Sequence, residues 1–198
     1  MLRKTFLAIM LMSGVFFAEA SVIINELMPK NVSYLMDDKL QYSGWAELYN
    51  SGAEAVDITN YFLSDRTNRP TKWKFESSSP IQDEDGNSID GEPVIIEAGQ
   101  YLLVYLDELE SFSPYHTNFK LDIENGALYL SDETGTIIDE LKYDTTYRNM
   151  SVGRLTDGSA EIGTFAVPSP GKSNEGGKFL TKQTEMPSFS LKPGFYKD

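Results

Sequence analysis

Four groups of side chains in this sequence have types and spacings that could do chemistry. Glu26 and Glu47 stand in two strand-like runs and could serve as the paired carboxylates of glycoside hydrolysis. His116, the only histidine, lies in Pro114-Tyr115-His116-Thr117 and could act as a general base. Asp83, Asp85, Asn87, Asp90 and Glu92 crowd hard oxygen ligands of the kind Ca2+ takes into one short stretch. Arg66, Arg69, Lys72 and Lys74 interleave with Trp73 and Phe75, a pattern that binds anions or stacks on bases.

Each has a plainer alternative. Glu26 and Glu47 fall inside regular strand patterns, where an unpaired buried polar group would cost a few kcal/mol. With Asn25 and Asn50 they are expected to hydrogen-bond backbone groups or Arg154 and so stabilise strand crossings. A catalytic histidine needs an oriented nucleophile, and the sequence has no G-x-S-x-G elbow. A packed or hydrogen-bonded loop histidine is the expectation for His116. Asp83, Asp85 and Asn87 match the first three ligand positions of an EF-hand, but Ser88 replaces its glycine and Val94 its bidentate glutamate. A looser Ca2+ site there stays open beside a solvated run of charge. In the basic strip, alternation turns Trp73 and Phe75 inward and leaves Lys72 and Lys74 outward on a solvated face. Tyr34, Tyr42, Tyr115 and Tyr147 fall in predicted loops, where aromatic rings can stack on sugars. No glycine-rich phosphate cradle is present.

Composition narrows the field further. The chain has 198 residues, 40% of them hydrophobic, with no cysteine and one histidine. That excludes a disulfide scaffold, a thiol nucleophile, a Cys-ligated zinc site and a lipidated cysteine. It equally excludes a site built from several histidines of one chain. The net charge is −13, and residues 21–171 hold 26 acidic side chains against 10 basic ones. Such a surface repels phosphate overall, so nucleic acid is not the expected partner.

The elements that must position these residues are strands. Period-2 alternation dominates over Val22–Leu27, Trp45–Tyr49, Tyr61–Ser64, Lys72–Phe75, Val94–Ile96, Tyr101–Leu106, Ala127–Ser131, Thr136–Tyr143 and Ser151–Arg154. Turn signals such as Asn50-Ser51-Gly52, Glu124-Asn125-Gly126 and Asp157-Gly158 separate them. This spacing describes an all-β sandwich. The polar segment Glu76–Pro93 reads as an inserted loop. At the amino end, Arg3 and Lys4 precede an apolar run that closes on Ala18-Glu19-Ala20, the pattern of a signal peptide over residues 1–20. Residues 21–174 read as one domain, 175–185 as a linker, and 186–198 as the start of a second module or a tail.

The ordered motifs resemble the lamin tail domain, an immunoglobulin-like β-sandwich found in nuclear lamins and in secreted bacterial proteins. They are Ile24-Asn25-Glu26-Leu27-Met28, Trp45-Ala46-Glu47-Leu48-Tyr49-Asn50, Val56-Asp57-Ile58, Leu63-Ser64-Asp65 and Trp73-Lys74-Phe75. Then follow Ile96 to Leu102, Asn118-Phe119-Lys120-Leu121, Leu128-Tyr129-Leu130, Asp139 to Tyr143, Ser151-Val152-Gly153-Arg154 and Pro168-Ser169-Pro170-Gly171-Lys172-Ser173-Asn174. Two departures stand out: Ala46, where the family carries a larger apolar residue, and the 76–93 insertion. The resemblance implies a non-catalytic fold in which Asn25, Glu26, Trp45, Glu47, Asn50, Trp73 and Arg154 are structural. It also implies an exported interaction module, with a protein or a cell-surface polysaccharide as partner. Residues 186–196 resemble the opening of the β-sandwich that ends chitobiases and hexosaminidases, which would make the chain the front of a longer secreted protein.

Overall fold

The structure is a computed structural model that describes residues 21–82, 84–110 and 114–180. The expected signal peptide and the expected terminal module lie outside the described residues, as does Asp83. In chain order the strands are β1 (Val22–Met28), β2 (Gly44–Asn50), β3 (Val56–Asp57), β4 (Phe62–Ser64), β5 (Trp73–Lys74), β6 (Ile81–Gln82) and β7 (Ser88–Ile89). There follow β8 (Ile95–Ile96), β9 (Tyr101–Leu106), β10 (Gly126–Ser131), β11 (Ile137–Tyr143), β12 (Ser151–Arg154) and β13 (Ile162–Phe165). No helix occurs among the described residues.

The strands form two main antiparallel sheets, ordered β13-β12-β1-β2-β9 and β11-β10-β4-β5, with two small two-stranded ribbons, β3-β8 and β6-β7. Alternate residues of each sheet meet in one core. Val22, Ile24, Leu27, Ala46, Leu48, Val104 and Leu106 come from the larger sheet, and Leu63, Trp73, Leu128, Leu130 and Leu141 from the smaller. The fold is the all-β sandwich that the alternation calls for. Ala46 is fully buried with Leu27 and Val104 as its register partners, so their larger side chains flank the small one.

β1 contains the departure from simple alternation that matters most. A bulge between Ile24 and Glu26 shifts its register against β2. Val22 and Ile24 point into the core before it and Leu27 after it. Glu26 is thereby turned to the outer face of the sheet. Gly153 lies opposite Glu26 in β12, where a Cβ would stand 2.7 Å from the Asn25 carbonyl oxygen.

Three elements have no strong sequence pattern. β3 is a two-residue bridge that exists because Ile95 and Ile96 lie beside it. The 76–93 segment, expected as a loop, carries the β6–β7 ribbon. β13 contains a glycine and is set by pairing with β12 from Ser151↔Phe165 to Arg154↔Ile162. Beyond it, Ala166 N–H donates to Lys178 O and Leu180 N–H to Thr164 O, each at 2.8 Å, so the chain at 178–180 runs along β13.

Candidate functional site

Two polar clusters and one exposed loop region stand out, all on the larger sheet or its ends. The first cluster covers the outer face. Glu26 and Glu47 accept hydrogen bonds from the segment after β13: Ser169 N–H and Oγ–H reach Glu26 Oε2 at 3.2 Å, and Gly171 N–H reaches Glu47 Oε2 at 2.5 Å. Ser151 Oγ–H donates to Glu26 Oε1. Asn25 Nδ2 bridges Glu47 Oε1 at 3.1 Å and Asp157 Oδ1 at 2.9 Å. Asp157 also accepts from Tyr101 Oη at 2.6 Å and Asn174 N at 3.0 Å. Asn174 Nδ2 closes the arrangement by donating to Arg154 O at 2.8 Å. Residues 168–174 thus form a strap over the sheet. Burial pushes the Glu47 carboxyl up to about 8 against the bonds from Gly171 and Asn25. Burial raises Glu26 as well.

The backbone partners of Glu26 and Glu47 lie in this strap, and Arg154 is engaged elsewhere. Its guanidinium donates to Ile24 O at 2.9 Å, to Ser159 O at 2.7 Å and to Asp139 Oδ1 at 2.7 Å, while Asp139 Oδ2 accepts from Ile24 N at 2.7 Å. Where the bulge draws β1 away from β12, this ion pair takes up the backbone groups of Ile24 and ties the two sheets together. Asn50 donates to Glu54 O and Ile96 O, each at 2.8 Å, and pins the turn after β2. Trp45 and Trp73 are buried, and Trp73 meets Phe75 edge-on at 4.6 Å.

The second cluster lies at the end of the sandwich where β1 leaves and β9 finishes. His116 is fully buried; its Nδ1 is 2.6 Å from Asp107 Oδ2 and its Nε2 2.8 Å from Asp38 Oδ1. Ser43 Oγ–H donates to Asp37 Oδ2 at 2.6 Å and lies 3.4 Å from Asp107 Oδ2. Asp37 Oδ1 accepts from Lys39 N at 2.8 Å and Gln41 N at 2.9 Å, which folds residues 37–41 into a tight turn. Burial opposes ionisation of Asp37, but the bonds from Ser43, Gln41 and Lys39 and the nearby His116 outweigh it and hold its carboxyl below 3.8. His116 is therefore a hydrogen-bonded loop histidine.

That cluster anchors an exposed loop. The turn presents Leu40, 78% exposed and with φ of 59°, a left-handed conformation that a branched side chain rarely takes. Val32, Tyr34, Met36 and Tyr42 are exposed on the same β1–β2 connection. Two further loops join it: Asn149 Oδ1 accepts from Val32 N at 2.9 Å and Ser33 N at 3.0 Å, and Tyr34 Oη donates to Pro168 O at 2.6 Å. Tyr147 and Val167, the latter 52% exposed, stand on those neighbouring loops. Three loops thus converge at one end and each offers apolar surface. Tyr115 is half-buried against the core, with its carbonyl accepting from Tyr105 N at 2.7 Å.

The basic strip is charge-compensated. Lys72 Nζ pairs with Asp65 at 2.6 Å and sits 4.7 Å from the Phe119 ring centre, so it is tied down, not solvated as alternation suggested. Arg66 also faces Asp65, at 3.6 Å, and Lys74 pairs with Glu76 at 3.1 Å; Arg69 is exposed. Lys72 and Lys74 line an open groove of about 310 Å3 together with Glu76 and Glu110. In the acidic segment Asp85, Asn87, Asp90 and Glu92 are all exposed.

Sequence reasoning missed Asp37, Asp38 and Asp107 as partners of His116. The only signal was the Asp37-Asp38 doublet in a loop and an aspartate directly after β9. It also left the 168–174 motif without a role, although Ser169, Gly171 and Asn174 hold the buried carboxylates.

No helix among the described residues is long and apolar enough to cross a membrane. A comparison with curated proteins finds no match. The sequence model of the lamin tail domain matches residues 17–145. With the sandwich and its motifs in place, the chain belongs to the lamin tail domain family.

Proposed function

We propose that this protein is an exported, non-catalytic interaction module of the cell envelope or extracellular space, and that it engages a protein partner through the end of the sandwich carrying the β1–β2 loop. The observation that carries this reading is Leu40. A bulky apolar residue held in the left-handed region costs about 1–2 kcal/mol, and leaving it in water forgoes its burial as well. Strain of this kind points to a contact made outside the chain. Val32 and Met36 on the same connection, and Val167 next to the Pro168 carbonyl that Tyr34 of this connection bonds, supply aliphatic surface suited to a protein. Export rests on the basic, apolar and Ala18-Glu19-Ala20 pattern at the amino end.

The test is site-specific photo-crosslinking in cells that make the protein, with the reactive group at Leu40 or at Glu133. Glu133 lies in the β10–β11 turn, at the far end of β11 from the loop that carries Tyr147. A discrete adduct from position 40 that is absent from position 133 supports the reading. Equal labelling at both positions removes it. A glycan partner is the second reading, favoured by the exposed rings of Tyr34, Tyr42 and Tyr147 at this same end. It requires glycan binding that is lost in Tyr34→Ala and retained in Leu40→Asn.

A further inference from the structure

We propose that Asp37, Asp107 and His116 form a site for a divalent transition metal of the zinc class, with Asp38 as the outer partner of the imidazole. One ligand atom from each of the first three lies within 4.8 Å of the other two, and all three residues are buried. A metal bound at roughly 2.0–2.2 Å by nitrogen and oxygen holds its ligand atoms about 3–4 Å apart. Loading therefore needs His116 Nδ1 and Asp107 Oδ2, now 2.6 Å apart, to separate by about 0.4–1.4 Å.

The donor set selects the metal class. One imidazole nitrogen among three ligands suits zinc-like ions, whereas Ca2+ takes 6–8 oxygens. Nδ1 faces Asp107 and is the ligating nitrogen. Nε2 keeps its 2.8 Å bond to Asp38, which orients the ring as an outer carboxylate does in histidine–metal sites. Charge favours loading too, because Asp38 and Asp107 both contact the single imidazole and the Asp37 carboxylate lies within 4.8 Å of it. Ser43 has one hydroxyl proton for two carboxylates, at 2.6 and 3.4 Å. A groove of about 360 Å3 lined by Gln41, Ser43, Asp107 and Lys120 reaches one of the three ligands, Asp107. A bound ion would lock the 37–41 turn, but the inference stands apart from the partner reading and needs no partner to test.

The experiment is a calorimetric titration of the untagged protein with Zn2+, with Ca2+ as comparison, alongside the NMR signals of the imidazole C–H groups. His116 is the only histidine, so those signals report on this site alone. The expected result is one Zn2+ per chain, a shift of the imidazole signals and a higher melting temperature. His116→Gln should weaken binding at least tenfold, and Asp38→Asn, altered at an exposed position and independent of refolding around residue 116, by about tenfold. Absence of Zn2+ binding overturns the proposal. So does binding that leaves the imidazole signals unmoved, or an equal imidazole response to Ca2+.

Discussion

Glu26 and Glu47 stand opposite each other across the β1–β2 pairing, and both are fully buried on the outer face of the sheet. Like charges placed this way repel, and each is further disfavoured by loss of water. What makes the arrangement tenable is the strap: the backbone N–H groups of Ser169 and Gly171 point at the two carboxyls. The pair therefore serves as the receptor for the 168–174 segment. The two acids thus hold the strap on the sheet through their hydrogen bonds to its backbone.

This pair should make stability depend on pH in an unusual direction. Glu47 goes from 4.5 to about 8 on folding, and Glu26 is raised as well. A carboxyl whose value is raised by folding contributes fully below 4.5, and that contribution is lost as pH rises through about 8. Asp37 and Asp157 are lowered from 3.8 and act oppositely, losing their contribution only as pH falls through their folded values. Melting temperatures should thus decline between about pH 5 and 8. Glu47→Gln should flatten the decline, and an unchanged slope in that variant would refute the assignment.

Arg154 and Asp139 should behave as a buried pair. Removing one partner leaves the other charge without compensation and frees the backbone groups of Ile24. Arg154→Ala should cost about 3–5 kcal/mol in denaturant unfolding. The double change Arg154→Met, Asp139→Leu should recover much of that. A single-variant loss below about 1 kcal/mol would show that the pair does not brace the sheets.

Gly153 and Gly171 separate steric from conformational cost. A Cβ at Gly153 would meet the Asn25 carbonyl at 2.7 Å and Glu26 Cα at 3.1 Å, both backbone atoms of the bulge. At Gly171 nothing lies within 4 Å, but φ is +74°. Gly171→Ala should cost about 1 kcal/mol through its backbone alone. Gly153→Ala should cost more, toward about 3 kcal/mol, because the bulge must shift. The reverse order in unfolding measurements would mean that the bulge yields easily.

Leu40 gives a case in which stability and binding should move apart. Leu40→Asn suits the left-handed turn and should raise stability by up to about 1 kcal/mol. The same change should abolish crosslinking at the loop end when the reactive group is moved to Tyr42. A variant that is more stable and still binds would leave the loop end without its proposed role.

Much of the fold follows from local pattern. Lys72-Trp73-Lys74-Phe75 assigns its own faces as far as the rings are concerned, because a pleated strand alternates and only one side can be dry. Tyr101–Leu106 and Ser151–Arg154 occupy the strand limits that their alternation marks. The order of the motifs carries the family. Tertiary structure alone settled three things. Plain alternation would send Glu26 to the same face as Val22 and Ile24, and only pairing with β2, through the bulge at Asn25, turns it outward. The fate of Lys72 depended on where Asp65 and Phe119 came to lie. The His116 cluster joins residues 78 positions apart through a bond between two loops. Local sequence encodes which side of a strand is apolar; it does not encode which distant backbone will arrive to satisfy a buried charge, because that is decided by register and loop closure in the folded chain.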